Sequence, residues 1–290
     1  MTQLLAVPNV SEGRDQAVVA AVGGRFEAAG ARLLDVHVDP DHNRSVYTLA
    51  GPPGGLAGAL VAGAREAVRR IDMRRHDGVH PRVGVIDVVP VVHLDDRARG
   101  AACAEALVTA DELARAIDLP VFLYGALAGG RTRAELRRGG PDELQRRLAD
   151  GELAPDFGPA RLHRSAGATL VAARSPLVAF NLLLEGGVTL EEAQAAAAAI
   201  REGGQDGLPG VRAIGLWLAQ RGVAQVSCNV EDPAAVPLRE LVAAVRDRVP
   251  VAAGELVGLA PRAALEGFPA DVPIGGFDPE RHLLENLLGL

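Results

Sequence analysis

Apolar and polar residues follow two rhythms along this chain, a two-residue alternation in short runs and a helical repeat in longer ones. "QLLAVP" (3–8) reads as a strand, and "RDQAVVAAVGGRFEAAG" (14–30) as a helix that stops at Gly30. "ARLLDVHV" (31–38) and "RSVYTLAG" (44–51) predict two strands joined by the polar turn "DPDHN". A helix over 54–70 and a strand over 84–92 follow. Cys103, Ala106, Leu107, Ala110, Leu113, Ala114 and Ile117 then fall on one helical stripe, and "PVFLYG" (120–125) predicts the next strand.

Residues 126–168, rich in Gly and Arg, interrupt this order, which resumes afterwards. Strands are predicted over 177–185, 211–218, 223–230 and 254–259, with helices from Thr189 and over 237–248. "FDPERHLLENLL" predicts a final helix. Thr189 and Glu192 have the spacing of a capping box, which fixes that helix start. The order β-α-β-β-α-β thus occurs twice. It predicts an α+β fold of two ferredoxin-like subdomains, 1–174 and 175–290, with mixed β-sheets and helices packed on one face.

Composition changes this picture in three ways. Aromatic residues are only 3% of the chain, so Ala, Val, Leu and Ile must build the core. The net charge of −7, with no basic stripe interleaved with aromatics, argues against a nucleic-acid partner. All 30 basic residues are Arg, which excludes a Schiff-base or P-loop lysine and leaves Arg as the clamp for any anion. The chain shows no run of 18 uninterrupted apolar residues, and "MTQLLAVPNVSEGRD" turns polar too soon for a signal peptide, so a cytoplasmic protein without membrane contact is expected. Cys103 and Cys228 each sit in an apolar segment and read as small core residues.

The titratable cluster lies in "RRHDGVHPRVGVIDVVP" (74–90). His76 and His80 are four apart, which on a helix would present both to a metal, but Gly78 and Pro81 argue against a helix. His37, Asp39, Asp41 and His42 widen the metal set without matching a zinc signature, and Asp41 and His42 read as a solvated turn. His80 sits in an extended loop feeding a strand, with Asp77 before it and Asp87 after it. It is equally a proton-transfer group or an ordinary loop histidine. In "VPNVSEGRD", Ser11 reads as a helix cap, at a helix start whose amides could also accept an anion. The arginines of "GGRTRAELRRGG" (129–140), "QRRL" (145–148) and "ARLHRSAG" (160–167) could steer a polycarboxylate, with Arg146 and Arg147 reading as plain surface residues.

Taken in order, "VPNVSEGR", "LLDV…NRSVYTLAGPP", "IDMRRHDGVHPRVGVIDVVP", "LPVFLYG", "APDFGP", "AFNLLL", "AQVSCNV" and "LVGLAP" resemble the formiminotransferase family over nearly the whole chain. The resemblance implies a homodimer and a folate-binding tunnel between the subdomains. It implies transfer of a formimino group from N-formimino-L-glutamate to N5 of tetrahydrofolate, a co-substrate, with no metal, as in histidine degradation. His80, before Pro-Arg, corresponds to the family's catalytic histidine, and Gly158, Pro159, Arg161, Arg164 and Gly167 fall in its folate segment. In this reading Asp35 or Asp87 holds the second ring nitrogen of His80, Arg44 and Arg82 neutralise carboxylates, and Asn9 and Asn43 complete the substrate contacts. His37, Val79 and Ala126 stand where bifunctional members carry acids, and Ala166 where they carry Trp. The competing readings are a folate-dependent formyl transferase, a non-catalytic folate-binding protein, and a metal-dependent hydrolase built on His37, His76 and His80.

Overall fold

Pro8 has no amide to donate, so the first strand is broken there into β1 (Leu4–Ala6) and β2 (Asn9–Val10). Both halves lie between β4 (Arg44–Gly51) and β5 (Ile86–His93) in this computed structural model, which describes residues 2–289. β3 (Arg32–Asp39) pairs with the outer side of β4. With α1 (Gln16–Ala28) after the first strand and α2 (Ala57–Arg70) before β5, this is the ferredoxin-like order. The sheet then continues past β5 through β7 (Thr169–Arg174) to β6 (Val121–Leu123), both parallel to it. β7 is not among the predicted strands: it falls between the Gly/Arg-rich stretch that ends at 168 and the strand predicted from 177. The chain divides just after it, at Ser175, into the compact units Met1–Ser175 and Pro176–Leu290.

Strands in the parallel part of a sheet are buried on both faces. Leu4, Ala6, Val10, Leu49, Val89 and Val91 pack with α1, α2 and α3 (Arg99–Ile117) on one side. Val88, Phe122, Leu170 and Ala172 pack on the other with Leu136 of α4 (Arg133–Arg137) and Leu144 and Leu148 of α5 (Gly140–Ala149). One-sided helix packing therefore describes α1 to α3, and the Gly/Arg-rich stretch supplies a second layer. Arg146 lies on the surface among Glu143, Asp150 and Glu152, as its sequence suggested. Arg147 does not: it is buried and donates to the Glu135 carbonyl, tying α5 to α4.

The helix starts show how local chemistry sets the elements. Asp15, not Ser11, caps α1, accepting from Ala17 N at 2.9 Å and Val18 N at 3.2 Å. Ser11 instead donates to the Gly84 carbonyl at 2.8 Å. α2 has no side-chain cap of its own. Glu105, buried on α3, supplies one from outside: its carboxylate accepts from Leu56 N at 2.8 Å, Ala57 N at 2.7 Å and also from Gly54 N.

The second unit repeats the order with β8 (Val178–Leu184), α6 (Leu190–Ile200), β9 (Val211–Leu218), β10 (Val223–Val230), α7 (Leu238–Arg246) and β11 (Val251–Val257). Its sheet runs β11-β8-β10-β9, the ferredoxin-like arrangement. Thr189 and Glu192 make both bonds of the capping box at the start of α6. Gly215 lets that helix lie close, since a Cβ there would fall 2.3 Å from Gln194 N. The C-terminal segment is not one helix. Leu283 is extended and bridges to Ala260, separating α8 (Pro279–His282) from α9 (Leu284–Leu288). Cys228 is a core residue whose thiol burial pushes up to about 12. Among the described residues, no helix is long and apolar enough to cross a membrane.

Glu105→Ala removes the external cap of α2. Each buried donor left without a partner costs about 1–3 kcal/mol. The expected result is a lower urea midpoint with an unchanged m-value; Glu105→Gln, which keeps one acceptor oxygen, falls between the variant and wild type.

Candidate functional site

β2 and β5 slip register between the pairs Asn9–Val88 and Val10–Ile86, which makes Asp87 the extra residue of a β-bulge. A bulge re-aims a side chain relative to the plain alternation of a strand. Asp87, 1% exposed, points to the side covered by α4, where Arg137 reaches its Oδ2. Arg44 Nη1 lies 3.3 Å from the same oxygen, and Oδ1 accepts from Val83 N at 2.8 Å. One carboxylate thus holds two buried guanidinium groups.

Arg44 connects this pair to His80. Its Nε donates to Asn9 Oδ1 at 2.9 Å, and its Nη1 lies 2.8 Å from His80 Nδ1. Burial pulls the Arg44 pKa down to about 10; Asp87 opposes the shift, and Arg137 and Arg133 add to it. The group is still charged at neutral pH. The His80 pKa is lowered well below 6.5, first by burial, then by Arg44, Arg137 and His42. The imidazole is therefore neutral at pH 7. Its Nδ1 also lies 2.8 Å from the Pro81 carbonyl, so this nitrogen faces one obligate donor and one obligate acceptor. With a proton on Nδ1 it bonds Pro81 and leaves Nε2 as a base. With a lone pair on Nδ1 it accepts from Arg44, and Nε2 carries the proton.

The loop carrying His80 is fixed by backbone contacts. Asn43, in the left-handed region at φ 48°, accepts from Gly13 N at 2.9 Å and donates to the Asp77 carbonyl at 2.8 Å. His76 Nε2 lies 2.9 Å from the Asn43 carbonyl. Gly13 and Gly78 allow this crowding: a Cβ would fall 2.2 Å from the Asp39 carbonyl oxygen and 2.4 Å from that of His42, respectively. Arg82 donates from Nη1 to the Gly78 carbonyl and from Nη2 to the His76 carbonyl, both at 2.9 Å, and so braces the loop.

Several sequence expectations change accordingly. Asp41 and His42 are not a solvated turn; both are buried, and the His42 ring lies 5.6 Å from that of His80. Asp39 lies 3.9 Å behind His42. Asp87 is not bonded to the His80 ring. Asp87 acts one step back, through Arg44. Asp35 lies opposite Thr48 on the edge strand β3, two strand spacings or roughly 10 Å from β2. Among the described residues no three His, Cys, Asp or Glu side chains converge to hold a metal, so His37, His76 and His80 form no ligand set.

The 158–167 segment lies against the strand that follows His80. Val85 N donates to the Ala166 carbonyl at 2.8 Å, and Gly84 and Gly167 cross with no room for a Cβ on either. Gly158 and Gly167 have φ of 82° and 72°. Pro159 is half-buried, Arg164 is exposed, and Arg161 forms an exposed ion pair with Asp118 at 2.8 Å. These three are not among the partners of His80. Sequence reasoning missed Arg133 and Arg137 as individuals, and their spacing of four on one short helix was the available signal.

Two family models match the chain: "Formiminotransferase domain, N-terminal subdomain" over residues 3–174 and "Formiminotransferase domain" over residues 179–268. A glutamate formimidoyltransferase of Streptococcus pyogenes serotype M1 is 35% identical, the alignment covering 98% of each chain. One of Thermoplasma acidophilum is 32% identical over 98% of this chain and 97% of its own length. A formimidoyltransferase-cyclodeaminase of Sus scrofa is 39% identical over 91% of this chain. The chain spans about half the length of the bifunctional relatives, 51% in that case.

Asp87→Asn leaves Arg44 and Arg137 buried without an anion. Removing one partner of such a group costs about 3–5 kcal/mol. Denaturant unfolding is expected to show a loss in that range, and a loss below about 1 kcal/mol would mean the guanidinium groups are solvated.

Proposed function

Since the chain belongs to the formiminotransferase family, we propose that it transfers the formimino group of N-formimino-L-glutamate to N5 of tetrahydrofolate, with His80 moving the proton. The observation that carries this reading is the imidazole held between Arg44 and the Pro81 carbonyl, where burial and the Arg44 charge lower its pKa.

The reaction exchanges one amine for another on the formimino carbon. N5 of the folate attacks that carbon and loses a proton; the glutamate nitrogen leaves and gains one. A base that is cationic at neutral pH cannot begin this sequence, and burial beside Arg44 keeps His80 unprotonated. With Nδ1 bonded to the Pro81 carbonyl, Nε2 is the free base that accepts the N5 proton. The resulting imidazolium is disfavoured by Arg44, which favours delivery of the proton to the departing amine. Proton and leaving group balance within one side chain, and holding the two substrates together supplies much of the remaining rate. Tetrahydrofolate enters as a substrate and, in this reading, the enzyme is a homodimer of the cytoplasm.

The test follows the ultraviolet change of the folate when protein, tetrahydrofolate and N-formimino-L-glutamate are mixed. His80→Ala is expected to lower kcat by about 10²–10⁴-fold. A variant within a few-fold of wild type would remove the histidine from the mechanism. The acid limb of the kcat/KM profile, where His80 takes up a proton, is expected below pH 6.5. Arg44→Gln removes a charge that opposes protonation, so the limb is expected to move up toward that value.

A further inference from the structure

The Gly/Arg-rich stretch between β6 and β7 sends two arginines of α4 toward the buried network. Arg133 and Arg137 are one turn apart on one face, and the capping box of Thr132 and Glu135 fixes the helix start that sets this face. Arg137 is bound to Asp87. Arg133, half-buried, has no carboxylate partner among the described residues. Its guanidinium carbon instead lies 5.7 Å from the centre of the Tyr124 ring. Arg137 reaches the Asp87 carboxylate that Arg44 also contacts, and Arg44 in turn lies against His80; both arginines and Tyr124 act electrostatically on Arg44.

Arg44 feels the charges of Arg133 and Arg137 and, against them, that of Asp87, whose oxygens are already taken by Val83 N, Arg44 and Arg137. Two further polar groups lack partners here. The Tyr124 hydroxyl is buried, its residue 7% exposed, with no hydrogen bond, and Arg137 Nε is likewise buried and unpaired. Buried polar groups are normally satisfied, and a guanidinium beside a hydroxyl is suited to a planar carboxylate.

We propose that Arg133, with the Tyr124 hydroxyl and Arg137 Nε, forms a substrate-carboxylate subsite on the α4 side of the Arg44–Asp87 pair. The identity of the substrate rests on the formimino-transfer reading; the anion site itself does not. Two sources share this chemistry, a carboxylate of the amino-acid donor and the glutamyl tail of the folate. Arg133 is the informative position because its removal breaks no ion pair, unlike Arg137.

Steady-state kinetics of Arg133→Gln, varying each substrate in turn, make the first arm. A rise in KM of about tenfold or more for one substrate, with kcat within about threefold, is expected, since the lost bond is charge-assisted. A rise for the donor assigns the subsite to the amino acid, and a rise for the folate assigns it to the tail. Arg133→Lys, which keeps the charge but not the fork, is expected to recover part of the loss, and Tyr124→Phe to show a smaller effect of the same sign. The second arm needs no turnover: equilibrium dialysis of glutarate and L-glutamate against wild type and Arg133→Gln. Wild-type binding that weakens in the variant upholds the subsite even if the protein shows no formimino transfer, in which case the functional reading alone fails. Unchanged KM for both substrates, or dicarboxylate binding indifferent to the substitution, overturns the proposal.

Discussion

The chemistry of this site depends on a single carboxylate that never touches the imidazole. Asp87 sits in a bulge of β5, bound to a backbone amide on one oxygen and to Arg44 and Arg137 on the other. Its charge is what permits two guanidinium groups to lie out of water. Those groups in turn act with burial to keep His80 unprotonated. The basicity of the ring is therefore set at one remove, through the residue that links the two.

Geometry is secured by a different means. Three stretches distant in sequence, the loop after β2, the β3–β4 turn and the His80 loop, meet at Asn43. They approach so closely that Gly13 and Gly78 admit no side chain. The sheet contributes direction. Asp35, His37 and Asp39 alternate on β3 with Val36 and Val38, which pack with the core beneath α1 and α2. β4 continues the polar face with Arg44, and β2 with Asn9. The face opposite α1 and α2 thus gathers the polar residues, and α4 joins them there because the added parallel strands need cover on that side as well.

How much of this the residues disclose in advance differs by feature. The doubled β-α-β-β-α-β order is readable because the strands are short apolar runs and some helices carry their own stop or cap, as at Gly30 and Thr189. β7 is not, since its six residues directly follow the Gly/Arg-rich stretch that breaks the pattern. His80 stands out through Gly78 and Pro81, which deny it a helix. The burial of His42 is hidden, because "DPDHN" has the composition of an exposed turn and only the covering loops bury it. Asp87 reads as a partner of the ring because sequence proximity does not reveal a bulge. Arg133 and Arg137 are indistinguishable by composition from Arg146, which lies on the surface; only the packing of α4 over β5 separates them.

The positive wall around His80 is made entirely of guanidinium groups, in a chain without lysine. A lysine amine buried among like charges would lose its proton easily and become a nucleophile. In the proposed reaction, which passes an activated one-carbon unit between amines, such a side chain would compete for the cargo and end up modified. Guanidinium groups hold the same charge without offering a reactive nitrogen, so the residues proposed to attract an anionic substrate are inert toward what it would carry.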